Sequence, residues 1–217
     1  MTLDTIAASI REELGVQSSD TRRLPLSVVY SRINRRMRKM SRAYDLPCTL
    51  KTNPDVSLTS GQYSYSLPTD FAKPWCVRVK AAGLDPADLM PWAARYAQTE
   101  YPDPTDASTW GTASLYAIFG GTMWVFPPNL TAGTLLKIQY YCQFADLTSG
   151  SPGNTNALVV ALGDALEMLA TGDCATFLRE PQLAEGYWAE GQSLVDDYLR
   201  EQKTLVQIDR RPVAEEP

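Results

Sequence analysis

Six of the eleven residues in RINRRMRKMSR, positions 32 to 42, are basic, and no acidic residue occurs between Asp20 and Asp45. At about 100° per residue, Arg32, Arg35, Arg36, Lys39 and Arg42 fall on one side of a helix, with Ile33, Met37 and Met40 opposite. A face of one sign suits a polyanion or an acidic protein surface. Phosphates need only positive charge, and arginine also pairs with carboxylates bidentately. The competing reading is a solvated face, although such faces normally mix signs. No helix-turn-helix or zinc-finger signature accompanies the stripe, so direct reading of bases is unsupported.

Other chemistry is sparse. The chain has no histidine, which removes Ser-His-Asp and Cys-His catalysis and His-ligated metals from consideration. Cys48, Cys76, Cys142 and Cys174 form no CxxC pair and are expected to be reduced, packed thiols. Asp196-Asp197 and Glu215-Glu216 are adjacent carboxylates with no apolar shelter to separate their pKa values, as a catalytic acid–base pair requires. IFGGTMW lacks the glycine spacing of a phosphate loop and is expected to be a tight turn between two strands. Neither cofactor nor metal is expected, and an enzyme is disfavoured.

With 217 residues, 44% apolar and 21% charged, the chain has the make-up of a folded protein with one generous domain or two small ones. No apolar run is long enough to cross a bilayer, and Met1-Thr2-Leu3-Asp4 does not open like a secretory signal, so no membrane partner is expected. Charge is uneven. Residues 1 to 50 carry nine Lys/Arg against five Asp/Glu, whereas residues 160 to 217 carry five against twelve. Ends of opposite sign point to two different electrostatic surroundings.

The elements that would carry these residues follow from periodicity. Leu3, Ile6, Ala7, Ile10 and Leu14 keep helical spacing up to Gly15. A second helix is expected over 25–46, with the stripe Leu26, Tyr30, Ile33, Met37, Met40 and Tyr44. From Cys48 to about Cys142, short aromatic and β-branched runs separated by Gly, Pro, Asn and Asp predict about six antiparallel strands with one wet face. Within them, MWVFPPNLTAGTLLKIQYY (123 to 141) is expected to form an aromatic hairpin whose first strand ends at Pro127-Pro128. Its Trp124 and Phe126, with Tyr141, are candidates for a subunit contact, the alternative being an ordinary core hairpin. A short helical turn is expected at Trp92 to Ala97.

Helical texture returns after TSGSPGNTN. Asn154 or Thr155 is expected to cap a helix carrying Leu158, Val159, Leu162, Leu166 and Leu169, and Pro181 to open another. Residues 205–217 are expected to be an extended tail, with Leu205, Val206 and Ile208 available to dock on a partner. The fold class is therefore α+β: a helical bundle made by both chain ends (1–47 and 150–204) with an inserted antiparallel β-region (48–149).

The ordered set of an arginine-rich second helix, YSLPTDF (65 to 71), the block from Trp110 to Thr148 containing LYAIFGGTMWVFPPN and TLLKIQYYCQFADLT, and the paired helices of 157 to 199 broken at REP resembles the head-to-tail adaptor proteins of tailed bacteriophages. That group includes podovirus tail tubular protein A. The resemblance covers most of residues 25 to 203. It implies a virion structural protein of the neck, made in the host cytoplasm and seated at the portal vertex. It further implies a ring of about twelve copies, with the portal protein on one side and tail or nozzle proteins on the other. Double-stranded DNA would pass through the channel without sequence specificity. Because a permanently adhesive lining would hinder that passage, pairing of the basic stripe with a neighbouring subunit is favoured over DNA contact. Two other readings stand beside this one: a DNA-binding module using helix 25–46, and a tail-associated cell-wall hydrolase using carboxylates.

Overall fold

A computed structural model of the chain describes residues 1–17, 19–81, 83–128, 133–150 and 154–209, with side chains up to Lys203. It is α+β and divides into two compact units, one made of the chain up to Thr49 and from Gln143 onward, the other of Leu50–Cys142.

The first unit is helical. α1 (Leu3–Glu13) starts at a capping box in which the Thr2 side chain accepts from the Thr5 amide while the Thr5 hydroxyl meets the Thr2 amide at 2.8 Å. It buries Leu3, Ile6, Ala7 and Ile10. α2 (Leu26–Ala43) follows Pro25 and ends three residues earlier than the sequence implied, because the chain turns extended at Tyr44 before a 3-10 turn at Pro47–Thr49. Val29, Ile33, Met37 and Met40 fill its inner face, while Leu26, expected in that stripe, is exposed. α4 (Ala157–Phe177) is capped by Asn156, whose side chain accepts from the Val159 amide. The expected cap Asn154 is used otherwise, its carbonyl accepting from Leu3 and its side-chain amide donating to Asp4 at 2.6 Å. The last helix, α5 (Pro181–Asp209), begins at Pro181 as expected.

The extended tail expected over 205–217 is corrected over 205–209 by that helix, and residues 210–217 lie outside the described residues. The α5 backbone stays helical to Asp209, because no Gly or Pro interrupts the run from Gln192 to Arg211 and each added residue of an existing helix gains a hydrogen bond. α4 packs on α1, α2 and α5 around one apolar core.

Among the described residues the second unit holds nine strands rather than about six, in two sheets rather than one. In the first sheet, β9 (Leu135–Cys142) is central, flanked by β1 (Leu50–Thr52) and β2 (Val56–Ser57) on one side and by β4 (Phe71–Lys80), then β5 (Ala87–Asp88), on the other. The second has the order β3 (Ser64–Ser66), β8 (Thr122–Phe126), β7 (Leu115–Phe119), β6 (Met90–Pro91), with β6 parallel to β7. The expected hairpin of 123 to 141 therefore does not exist, since β8 and β9 belong to different sheets. The hairpin partner of β8 is β7, joined through Gly120 (φ +57°) and Gly121 (φ +80°), a two-residue turn that needs positive φ at both positions. Pro127 and Pro128 lack amide hydrogens, so the β8 ladder stops at Phe126 and the chain leaves for the other sheet. A short helix, α3 (Ala94–Glu100), lies against β7, slightly later than the turn expected at Trp92 to Ala97.

Two positions in the helical unit carry measurable consequences. At Gly172 an added Cβ would stand 2.4 Å from the Trp188 ring and 3.0 Å from the Ala184 carbonyl, whereas at Gly186 nothing lies within 4 Å. Gly172→Ala is expected to destabilise the protein by about 1–3 kcal/mol through overpacking. Gly186→Ala is expected to stabilise it by about 0.5–1 kcal/mol through helix propensity. Urea titrations of both variants check the pair of opposite signs. Burial pushes the Glu167 carboxyl above its usual range, and Asp164 and Glu13 add to the shift against a 2.5 Å hydrogen bond from Ser9. The wild type thus loses stability as pH rises from the unfolded value through the raised folded one. Glu167→Gln is expected to raise the melting temperature at neutral pH and to melt like the wild type below about pH 4.

Candidate functional site

The basic face of α2 is divided by what the chain folds against it. Arg36 is spent internally. Its Nε donates to Asp173 Oδ2 at 2.8 Å, its Nη2 donates to Asp173 Oδ1, and its guanidinium lies 5.6 Å from the centre of the Trp188 ring. The two side chains are only 15% and 13% exposed, so this bidentate pair locks α2 to α4 and α5. Arg38 pairs with Asp146, and Arg42 donates to Gln143 Oε1 at 3.3 Å. Arg32, Arg35 and Lys39 have no carboxylate within ion-pair distance among the described residues. These three, with Arg36, Asp173, Thr176 and Trp188, line a cavity of about 220 Å³. Of the five residues expected to face an anion, Arg36 is thus removed to a structural role, Arg42 makes a weak internal contact, and three present free positive charge.

Between the basic stripe and the core, α2 holds the returning chain. Asn34, buried, donates to the Leu147 carbonyl at 3.0 Å and accepts from its amide at 2.9 Å. Tyr30 donates to Asp4 at 2.9 Å; together with Ser149, Gly150 and Asn154 it holds that carboxyl below the usual carboxylate range. Arg11, also buried, reaches from α1 to donate to the carbonyls of Gln17 and Asp20. Sequence reading singled out none of these polar clamps. A lone polar residue on a core-facing helical position, as at Asn34 and Arg11, was the available signal.

In the β-unit the expected contact residues separate. Phe126 is 1% exposed, stacked at 5.2 Å on Tyr101, which follows α3. It is core, because the Pro/Asp-rich excursion folds back over it. Tyr141 is also buried, with Lys73 Nζ 5.1 Å from its ring centre. Trp124 alone stays half-buried, edge-on to Tyr63 at 5.8 Å and next to the exposed Phe119 at 5.7 Å. Leu205, Val206 and Ile208 lie on the helical backbone of α5, but their side chains fall outside the described residues.

The remaining chemistry is quiet. Asp196 accepts from Gln192 and Asp197 pairs with Arg200, both exposed, whereas Glu215-Glu216 lies outside the described residues. None of the four cysteines is in a disulfide, and burial pushes the Cys174 thiol up to about 12. Among the described residues no group of three or more metal-binding side chains forms, and no helix is long and apolar enough to cross a membrane.

The division of the stripe predicts unequal mutants. Arg36→Ala leaves the Asp173 carboxylate shielded and unpaired and is expected to cost about 2–4 kcal/mol. Arg35→Ala, on the free face, is expected to change stability by less than about 0.5 kcal/mol. Equilibrium unfolding in urea distinguishes the two.

Comparison with known proteins agrees with the picture of a chain that builds and binds. The family model of the SU10 adaptor protein matches residues 1–214, and the chain belongs to that family of phage head-to-tail adaptors. No curated protein matches it.

Proposed function

Starting from a phage adaptor of the SU10 family, we propose that this chain forms a ring at the neck of the virion, joins the portal to tail or nozzle proteins, and surrounds the passing double-stranded DNA. The observation that carries the reading is the cationic face of Arg32, Arg35 and Lys39, three neighbouring side chains of one helix with no ion pair among the described residues. A face of like charge with no internal partner belongs to an interface. The family places the protein among phage adaptors; ring closure, about twelve copies and the portal contact are the finer parts of the proposal. The half-exposed cluster of Trp124, Tyr63 and Phe119 supports a second, aromatic contact surface on the β-unit, of the type that tail components would use. The stiff, helix-based stripe serves assembly better than catalysis, and the exposed carboxylate pair Asp196-Asp197 has no sheltered neighbour with which to share a proton.

Electron microscopy of the purified chain mixed with the portal protein of the same phage tests this reading. The expected outcome is a closed ring stacked coaxially on the portal, with no turnover of peptidoglycan by the same preparation. A chain that stays monomeric beside its portal, or one that cleaves cell wall and loses the activity when a single Asp or Glu is replaced, would overturn it.

A further inference from the structure

The ring reading leaves open what the free cations of α2 touch, and the helical unit itself carries a complement. A groove of about 290 Å³ runs between the start of α4 and the later part of α5. Its apolar lining includes Val160, 72% exposed, and Leu194, 37% exposed, together with Tyr198. Asp164, Asp197 and Glu201 stand around it. Asp164 and Glu201 make no ion pair among the described residues. Asp197 has only Arg200, one helical turn away and 76% exposed, as an exchangeable surface partner.

We propose that this acidic groove is the docking site for the basic face of α2 of a neighbouring copy, with Arg32, Arg35 and Lys39 of one chain meeting Asp164, Asp197 and Glu201 of the next. The inference rests on the ring reading and specifies its contact. Three cations face three carboxylates, and the aliphatic stems of the arginines offer cover for Val160 and for the exposed part of Leu194. The two surfaces are distinct. They share no lining residue, and along α5 Trp188 of the basic cavity and Leu194 of the groove are about 9 Å apart. Two different, complementary patches on one unit make a head-to-tail contact, the type that closes into a ring or grows into a filament.

Charge exchange tests it with the full chain. One variant carries Arg32→Glu, Arg35→Glu and Lys39→Glu; the other carries Asp164→Lys, Asp197→Lys and Glu201→Lys. Circular dichroism first establishes that both fold, and the milder pair Arg35→Glu and Glu201→Lys serves if either does not. In sedimentation velocity at low salt, the wild type is expected to self-associate, and each variant alone to associate about tenfold more weakly or worse. An equal mixture of the two is expected to recover association, since each basic groove then meets an acidic helix. A wild type that shows no salt-sensitive association, variants that associate as the wild type does, or a mixture that fails to recover would each overturn the contact. So would tight, steeply salt-dependent binding of the wild type to random-sequence duplex DNA that the first variant loses and the second keeps, which would make the cluster a phosphate site. If the variants still build rings on the portal, this contact fails while the ring reading stands. If the wild type builds none, the ring reading itself fails.

Discussion

The helical unit depends on a constraint that no single stretch of sequence supplies: α2 must be laced to residues more than a hundred positions downstream. Asn34 holds Leu147 through both of its backbone groups, Arg36 holds Asp173 through two hydrogen bonds, and Tyr30 shares Asp4 with Asn154. These clamps lie at the border of an apolar core to which α1, α2, α4 and α5 all contribute. A buried amide or carboxylate left without its partner costs about as much as several methylenes of packing. The clamps therefore fix which segment returns and in which register, a choice that hydrophobic burial alone would make loosely.

The same closure changes the meaning of the charge distribution. Along the chain, a basic beginning and an acidic end look like two regions with two environments. Once both ends fold into one body, they belong to a single compact unit. Internal pairing then consumes part of both charges, Arg36 with Asp173, Arg38 with Asp146 and Arg23 with Glu180. The remainder, Arg32, Arg35 and Lys39 on α2 and Asp164 and Glu201 on the later helices, has no ion pair among the described residues.

Much of this was legible from the residues. The apolar spacing of Leu3 to Ile10 and of Ile33 to Met40 marked inner faces correctly, the two glycines of IFGGTMW marked a hairpin turn, and Pro127-Pro128 marked the end of a strand. Strand partnership was not legible. Alternation at Leu136, Ile138 and Tyr140 tells which side of a strand is buried but not which strand lies beside it, so β8 and β9 were joined across a gap that separates two sheets. The burial of Phe126 was equally hidden, because the residue that covers it, Tyr101, sits in a segment whose composition reads as loop. At the site, the helical wheel placed the cations on one side but could not subtract Arg36, whose acid lies 137 positions away. The membership in a phage adaptor family was carried by the order of segments rather than by any one motif.

In the β-unit, the first and last strands are neighbours: Leu50 faces Tyr141 and Thr52 faces Gln139 across the β1–β9 ladder. When that unit folds, it delivers the two severed halves of the bundle to each other a strand's width apart, and most of the entropy of closing a long loop is already spent. Such a joint turns the insertion into a cassette. Any module whose two ends emerge side by side fits the same gap, so this part of the molecule is free to be exchanged or to diverge while its helical host keeps its own core unchanged.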